Sequence, residues 1–224
     1  MPDRLAIAVD GPCASGKGTV ARGVARELGY QYVDTGAMYR AVAQVARQRG
    51  VAWDDEAALG PLAAGLRFAF TWDGDLLRVV VDGVDLTEAI RTDEIGRGAS
   101  DVSKLPAVRG ALLDLQRGLG LAGGVVMDGR DIGTVVLPDA GLKIYLDADV
   151  DERAQRRYAE MVRRGIDTTL PETREALVAR DRQDMERAHA PLRQADDAVR
   201  VDTTGMDIPA AIDAVLGLAR ARGA

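Results

Sequence analysis

The fold is decided by the stretch Ala6-Ile7-Ala8-Val9-Asp10-Gly11-Pro12-Cys13-Ala14-Ser15-Gly16-Lys17-Gly18-Thr19. Its apolar beginning predicts a strand, and the glycine-bounded loop that follows leads into a helix closed by Gly29. Such a loop turns backbone N–H groups inward, the helix N-terminus adds partial positive charge, and Lys17 can reach the terminal phosphates of a nucleoside triphosphate. The stretch therefore predicts a phosphate-binding loop. The alternative is a glycine-rich turn after a buried strand.

Length and composition restrict the classes of protein to which this chain can belong. The chain has 224 residues and a formal net charge of −6, which favours one folded globule and argues against an extended nucleic-acid interface. A single cysteine, Cys13, and a single histidine, His189, exclude an internal disulfide framework and a zinc-ligand cluster. Neither a membrane-spanning stretch nor a signal-like N-terminus is present, so we expect a cytoplasmic protein with no membrane or polymeric nucleic-acid partner. We also expect a monomer.

Apolar strand patterns alternate with helical patterns along most of the chain. This alternation is typical of a parallel sheet covered by helices on both faces, and it predicts an α/β fold with five parallel strands. Strands are predicted at about residues 4–9, 31–33, 124–128, 142–147 and 198–202. Helices are predicted at about 16–28, 36–49, 105–118, 150–164, 172–188 and 207–222, the last with Asp207 as its N-cap.

The segment 66–86 breaks this alternation. Phe68 and Phe70 alternate with smaller residues, and Asp73-Gly74 and Asp82-Gly83 provide turns. The pattern predicts a small three-stranded antiparallel insert. Because such strands do not easily join a parallel sheet by short right-handed crossovers, we expect a lobe beside the core. The alternative is a decorative hairpin.

The motif Asp34-Thr35-Gly36-Ala37-Met38-Tyr39-Arg40 begins where a strand ends and a helix starts. Thr35 is predicted to cap that helix, and Arg40 projects one turn further on. The Thr35 hydroxyl and the Arg40 guanidinium could together hold an acceptor phosphate. Capping alone explains Thr35 equally well.

A second charged motif, Asp128-Gly129-Arg130-Asp131, follows a hydrophobic strand. Ligands in open α/β sheets bind outside the carboxyl ends of the strands, which is where this motif is expected to lie. There Asp128 could influence Mg²⁺ or its water shell, Arg130 could contact phosphate, and Asp131 could accept from an exocyclic amine. Solvated turn residues are the alternative.

Two helical segments carry clustered arginines. The arginines within 153–157 lie within about one helical turn and could close over phosphates during transfer, where a transition-state arginine can supply roughly 10³-fold or more in rate. Arg180, Asp184 and Arg187 are predicted on one side of a helix, which suits a ribose hydroxyl beside a phosphate. Ordinary ion pairs on exposed helices explain both patterns equally well.

Taken together, these motifs resemble the bacterial cytidylate kinases, which belong to the nucleoside monophosphate kinases. The resemblance spans nearly the whole chain. The Gly-Lys-Gly-Thr ending of the loop is the version found in such kinases, and the segment 66–86 resembles their extra lobe. The motifs that carry the resemblance are Asp10-Gly11-Pro12, Gly16-Lys17-Gly18-Thr19, Asp34-Thr35-Gly36-Ala37-Met38-Tyr39-Arg40, Gly129-Arg130-Asp131-Ile132-Gly133-Thr134-Val135-Val136 and Arg187-Ala188-His189-Ala190-Pro191-Leu192.

The resemblance implies a single P-loop kinase over residues 1–224 that transfers the γ-phosphate of ATP to CMP or dCMP, with Mg²⁺. It implies a core of residues 1–35 and 100–224 and a short lid at 150–166. Residues 36–99, which include the insert at 66–86, would form the monophosphate-binding region.

The resemblance also implies roles for individual residues. The phosphates of ATP are assigned to Gly11, Pro12, Cys13, Ala14, Ser15, Gly16, Lys17, Gly18 and Thr19, and Mg²⁺ is assigned to Thr19 and, through water, to Asp128. The acceptor phosphate is assigned to Thr35, Arg40, Arg130 and Arg187, the cytosine to Ser100, Arg109 and Asp131, and the ribose to Arg180 and Asp184. Tyr39 is assigned to the substrate site as well. Catalytic roles are assigned to Lys17, Arg130, Arg153 and Arg157, the last two as phosphate clamps of the lid.

Two departures from the family pattern and two competing functions stay open. Thr35 stands where the family often has serine, and Cys13-Ala14 stands where a glycine is common, which leaves the loop path near the β-phosphate open. The competing functions are a kinase for UMP, AMP or shikimate and a non-catalytic nucleotide-binding module. Cytosine presents two acceptors and an amino donor, so Ser100, Arg109 and Asp131 are the residues that discriminate among acceptors.

Overall fold

The computed structural model describes residues 4–73 and 76–224. The chain divides into two compact units, Met1–Tyr32 with Gly120–Ala224 (the first unit) and Val33–Leu119 (the second unit). The strands are β1 (Ala6–Asp10), β2 (Gln31–Asp34), β3 (Phe68–Asp73), β4 (Leu76–Val81), β5 (Val84–Asp85), β6 (Val125–Gly129), β7 (Leu142–Asp147) and β8 (Val199–Asp202). The helices are α1 (Lys17–Leu28), α2 (Thr35–Gln48), α3 (Glu56–Gly65), α4 (Asp93–Val102), α5 (Pro106–Leu121), α6 (Val150–Arg163), α7 (Leu170–Glu186) and α8 (Ile208–Ala221). Among the described residues, none of these helices is both long and apolar enough to cross a membrane.

The larger sheet has five strands in the order β2-β6-β1-β7-β8. β1 pairs in parallel with β6 on one side and with β7 on the other, so the strand that feeds the loop lies in the middle of the sheet. All five residues of β6 are buried, which means that both faces of this strand are covered. The predicted α/β fold with a five-stranded parallel sheet and a small antiparallel insert is confirmed.

The insert forms a separate antiparallel sheet of β3, β4 and β5. Asp82 and Gly83 both have positive φ angles, 51° and 82°, as the predicted tight turn requires. The Asp73-Gly74 turn reaches beyond the described residues. Val79 and Val81 of β4 are buried in the hydrophobic core of the second unit, so the insert is more than a decorative hairpin.

The core of the second unit is built from helices that the sequence pattern only partly predicts. Met38 of α2, Ile95 of α4 and Leu112 of α5 are fully buried in one cluster. α3 and α4 were not predicted, and the expected kinase core had included residues 100–119. The structure places those residues in the second unit, since α5 contributes Leu112 to this cluster.

Asp10 connects the end of the central strand to the segment after β6. Its buried carboxylate accepts the backbone N–H groups of Ile132 and Gly133, both at 2.8 Å. Ile132 begins a single π-helical turn, Ile132–Val136, which the sequence did not predict. Burial raises the pKa of Asp10 to about 6, although both N–H donors favour the ionised form.

The pH dependence of the free energy of unfolding should reveal the raised pKa of Asp10. The folded-state pKa lies above the unfolded value of 3.8, so ionisation costs the folded state stability, and the Asp10 contribution declines as pH rises from about 4 to about 6. The free energy of unfolding of the wild type, minus that of Asp10→Asn, should be larger at about pH 5 than at about pH 7.5 by on the order of 1 kcal/mol. Urea denaturation at the two pH values measures it. A difference that stays constant or grows with pH would contradict the buried position of the carboxylate.

Candidate functional site

The loop between β1 and α1 has the close approach to the sheet that its glycines predict. A Cβ on Gly11 would lie 2.1 Å from the backbone oxygen of Leu146, so only glycine fits where the loop begins. Gly16 has a φ of 85° and stands immediately before α1, whose first turn holds the buried Lys17. Backbone N–H groups at a helix N-terminus of this kind bind anions.

Lys17 is held inside the loop. Its ammonium donates to the carbonyl oxygen of Pro12 at 3.3 Å. Burial, assisted by the positive charge of Arg130, lowers the pKa of Lys17 to about 8, and Asp128 and Asp184 act in the opposite direction. A triphosphate at this position would replace a weak neutral acceptor with anionic ones.

Cys13 and Ala14, the two loop residues that depart from the family pattern, differ in backbone conformation and contacts. Ala14 adopts the left-handed conformation with a φ of 59°, a state that costs a non-glycine residue about 1 kcal/mol. The Cys13 N–H donates to Asp181 at 2.9 Å, and the Cys13 carbonyl accepts from Arg153 at 3.0 Å. The loop thus reaches the conformation that glycine would adopt without strain, and neighbouring contacts hold it there.

Gly18 faces the charged end of β6. A Cβ on Gly18 would lie 3.3 Å from the Tyr32 hydroxyl and 3.7 Å from Oδ2 of Asp128. Tyr32 in turn donates its hydroxyl hydrogen to Oδ1 of Asp128 at 2.9 Å. The glycine that displaces Thr19 by one position therefore leaves room for the carboxylate at the start of α1.

Asp128 and Thr19 are the residues that could hold a Mg²⁺ ion together with phosphate oxygens. Mg²⁺ prefers oxygen ligands and commonly takes one or two carboxylates, water and phosphate oxygens. Asp128 offers a carboxylate beside the helix that carries Thr19. Within residues 4–73 and 76–224, no group of three or more His, Cys, Asp or Glu side chains could hold a metal ion.

Arg130 and Asp184 form an ion pair in the first unit. Nε of Arg130 donates to Oδ2 of Asp184 at 2.8 Å. Burial opposes the charge of Asp184, but Arg130, Arg180 and Arg187 outweigh it and hold the pKa of this carboxyl below its ordinary value. The structure thus brings three of the predicted substrate-binding residues, Arg130, Arg180 and Arg187, around the carboxylate of a fourth, Asp184.

Arg187 lies outside the helix on which it was predicted. α7 ends at Glu186, and Arg187 has extended backbone with a ψ of 141°. Nε of Arg187 donates to the carbonyl of Ala190 at 2.6 Å, and its Nη2 lies 3.3 Å from Oδ1 of Asp131. The chain after the helix folds back, since the N–H of Leu192 donates to the carbonyl of Asp184. This turn brings Arg187 to Asp131.

The arginines of α6 are bound to different groups. Arg153 is buried and bound to Asp181, Cys13 and the carbonyl of Ala148. Arg157 pairs with Glu160 at 2.9 Å. Arg156, which was not assigned a role, donates to the carbonyl of Thr203 at 2.8 Å and lies 3.9 Å from where a Cβ on Gly16 would stand.

In the second unit, the helix cap differs from the prediction. The N-cap of α2 is Asp34, whose carboxylate accepts the Ala37 N–H at 2.8 Å, and the predicted cap Thr35 is the buried first residue of the helix. Asp34 has the extended backbone that a cap needs, and Thr35 is already helical. The second oxygen of Asp34 pairs with Arg40 at 2.7 Å. The Thr35 hydroxyl is therefore not used as this cap.

The remaining predicted residues of the second unit lie on α2, α4 and α5. Arg109 lies over the ring of Tyr39, 5.7 Å from its centroid, and donates to the carbonyl of Ser103 at 3.3 Å. Ser100 donates to the carbonyl of Gly96 at 3.4 Å. Tyr39 and Arg109 are thus in contact. The unit gathers Thr35, Tyr39, Arg40, Ser100 and Arg109 on packed helices.

Sequence reasoning missed four residues that organise these groups: Asp10, Tyr32, Asp34 and Asp181. Asp10 and Asp34 stand at the ends of two strands, a position that could have marked them. Asp181 offered no such signal, because its partner Cys13 is 168 positions away in the chain.

A loop of this form after the central strand of a parallel sheet, with a buried lysine and a carboxylate at the end of the adjacent strand, defines a P-loop nucleotide-binding protein. The family model of cytidylate kinase matches residues 7–221. The chain belongs to the cytidylate kinase family, which confirms the resemblance drawn from its motifs.

Individual relatives agree with this family. A cytidylate kinase of Geobacter sp. (strain M21) is 50% identical over 202 residues, covering 90% of this chain and 87% of the relative. A cytidylate kinase of Chromobacterium violaceum is 50% identical over 210 residues, covering 94% and 93%. One from Bacillus subtilis is 47% identical over 216 residues, covering 96% of each chain.

The close approach at Gly11 predicts a sharp difference between two glycines. Gly11→Ala should lower the free energy of unfolding by about 2–3 kcal/mol and weaken ATP binding at least about tenfold, because the loop must move away from Leu146. The matched control is Gly217→Ala in α8, where a Cβ meets nothing within 4 Å. That change should stabilise the protein by about 0.5–1 kcal/mol and leave ATP affinity unchanged. Thermal denaturation and calorimetric titration with ATP measure both, and equal affinities in the two variants would contradict the assigned loop geometry.

Proposed function

We propose that this protein transfers the γ-phosphate of ATP to the phosphate of CMP and dCMP, giving ADP and the corresponding diphosphate. Membership of the cytidylate kinase family is the observation that carries the proposal. In the transfer, an oxygen of the acceptor phosphate forms a bond to the γ-phosphorus while the bond from that phosphorus to ADP breaks.

The donor is assigned to the loop of the first unit. Backbone N–H groups between Gly11 and Thr19 would hold the phosphates of ATP, and Lys17 would contact the terminal ones. Thr19 and Asp128 would hold Mg²⁺, which neutralises charge on the phosphates when bound. The low pKa that burial gives Lys17 supports this assignment, because anionic phosphates would restore the favourable surroundings that the ammonium lacks.

The acceptor phosphate and ribose are assigned to the arginines around Asp184, which are Arg130, Arg180 and Arg187. Nε of Arg180 supports this, because it is buried and has no hydrogen-bond partner among the described residues. A buried donor without a partner costs stability and points to an acceptor that arrives with a ligand. Thr35, Tyr39 and Arg40 of the second unit are proposed as further CMP-binding residues.

Cytosine selectivity is assigned to Ser100, Arg109 and Asp131. The carboxylate of Asp131 would accept from the 4-amino group of cytosine, whereas the O4 of uracil would bring two acceptors together. Its contact with Arg187 at 3.3 Å holds this carboxylate in place.

Catalysis would consist mainly of positioning and charge stabilisation, because phosphoryl transfer requires little covalent chemistry from the protein. Lys17 and Arg130 would stabilise the charge on the transferring group. Arg153 and Arg157 of α6 are proposed as further phosphate contacts. Arg153 would act from its present position on the loop, and Arg157 after leaving Glu160.

A steady-state comparison of acceptors tests the proposed function. With ATP and Mg²⁺, we expect kcat/KM for CMP and dCMP to exceed that for UMP and AMP by at least about 10²-fold, as discrimination by hydrogen bonds to a base allows. Release of ADP in a coupled assay measures turnover, with shikimate as a further acceptor. Equal turnover of all acceptors, or none, would overturn the proposal.

The role of Asp131 is tested by Asp131→Asn. The amide can donate to the O4 of uracil, so the ratio of kcat/KM for CMP to that for UMP should fall by about tenfold or more. Asp151→Asn, which changes an exposed carboxylate of α6 in the same way, serves as control and should leave the ratio unchanged. An unchanged ratio in Asp131→Asn would remove this residue from base recognition.

A further inference from the structure

A buried ion pair between α6 and α7 binds the phosphate loop at both polar backbone atoms of Cys13. Oδ1 of Asp181 accepts the Cys13 N–H at 2.9 Å, and Nη1 of Arg153 donates to the Cys13 carbonyl at 3.0 Å. The same Nη1 pairs with Oδ2 of Asp181, and Nε of Arg153 donates to the carbonyl of Ala148 at 2.9 Å. Asp181 and Arg153 are only 6% and 7% exposed. The pair therefore fixes one peptide of the loop from two helices.

Joining the two helices does not by itself require this pair. Arg174 of α7 and Asp151 of α6 form a second ion pair at 2.6 Å, which is exposed and joins the same two helices. A buried ion pair loses the hydration of both partners and is weak evidence for stability. The buried pair differs from the exposed one in its contacts with Cys13, which indicates that Asp181 acts on the loop.

Ala14, the residue after Cys13, has a strained backbone conformation. Ala14 has a φ of 59°, in the left-handed region that side chains disfavour, and such conformations persist where surrounding contacts determine them. Ser15, the next residue, is 1% exposed, and its carbonyl lies 3.4 Å from Oγ1 of Thr203. Cys13 on one side and Ser15 on the other thus hold Ala14 in place.

We propose that Asp181 is a positioning residue of the phosphate loop. Acting directly on the Cys13 N–H and through Arg153 on the Cys13 carbonyl, it holds the loop in the conformation that receives the phosphates of the nucleotide donor. The inference rests on the proposed function only for the identity of that ligand. Together with Arg153, Asp181 also links the loop to α6 and α7.

The thiol of Cys13 reports the loop without any substrate, because it is the only cysteine in the chain and is partly exposed. Its reaction with a disulfide reagent such as dithiobis(nitrobenzoate) should be faster in Asp181→Ala than in the wild type by at least about tenfold, since a lost charge-assisted hydrogen bond changes a local opening equilibrium by about this factor. The matched control, Asp151→Asn, breaks the exposed pair between the same helices and should react within about twofold of the wild type, as expected for a surface pair.

The kinetic constants provide an independent measurement. KM for ATP should rise about tenfold or more in Asp181→Ala while KM for CMP changes by less than about threefold, because the loop is assigned to the donor alone. Calorimetric titration with ATP, in the absence of CMP, should show a matching loss of ATP affinity in Asp181→Ala. A role confined to stability would instead leave both affinities unchanged in the folded fraction.

If Asp181→Ala does not fold, Asp181→Asn replaces it in the same measurements. The amide retains an acceptor for the Cys13 N–H but loses the charge that pairs with Arg153, so thiol reaction and KM for ATP should both rise by at least about threefold. Thiol rates and ATP affinities that match those of Asp151→Asn would overturn the proposal. A protein with fast thiol reaction in the Asp181 variants but no activity toward CMP would leave the loop assignment intact and overturn the proposed function instead.

Discussion

Charged groups lose hydration when they are buried, so each needs an opposite charge or a hydrogen-bonding backbone group nearby. This requirement organises the first unit. Arg130 pairs with Asp184, Arg153 pairs with Asp181, and Asp10 accepts two backbone N–H groups. Each contact joins parts of the chain that are distant in sequence, and two of them end at the phosphate loop or the strand that feeds it. The geometry of the candidate site therefore depends on how its own charges are satisfied.

The same requirement explains why the candidate site favours anionic ligands. The carboxylate of Asp184 lies among three arginines, and Lys17 has a carbonyl as its hydrogen-bond acceptor. Arg180 keeps a buried donor without a partner among the described residues. A nucleotide phosphate supplies the acceptors that such groups lack, so binding energy is available at these positions. In the second unit, Asp34 both caps α2 and holds Arg40, which orients that guanidinium before any ligand arrives.

The sequence predicted what local patterns determine. β7 was placed at residues 142–147 as observed, and Gly29 ends α1 in the left-handed conformation. α4 was missed because Gly96 and Gly98 lower its helix propensity, yet a Cβ on Gly98 would lie 2.5 Å from Trp53, so packing requires a glycine there. The cap of α2 was wrong by one residue. The partners of Asp10 and Asp181 lie 122 and 168 positions away, and no local pattern encodes such contacts.

In the proposed reaction, one phosphoryl group passes from a donor held by the loop to the phosphate of CMP. Incubation with ATP labelled in its γ-phosphate, CMP and Mg²⁺, followed by chromatographic separation of the products, measures this directly. We expect the label in the β-phosphate of CDP, in amounts equal to the ADP formed. Label found only in inorganic phosphate, or retained in ATP at saturating CMP, would contradict the account.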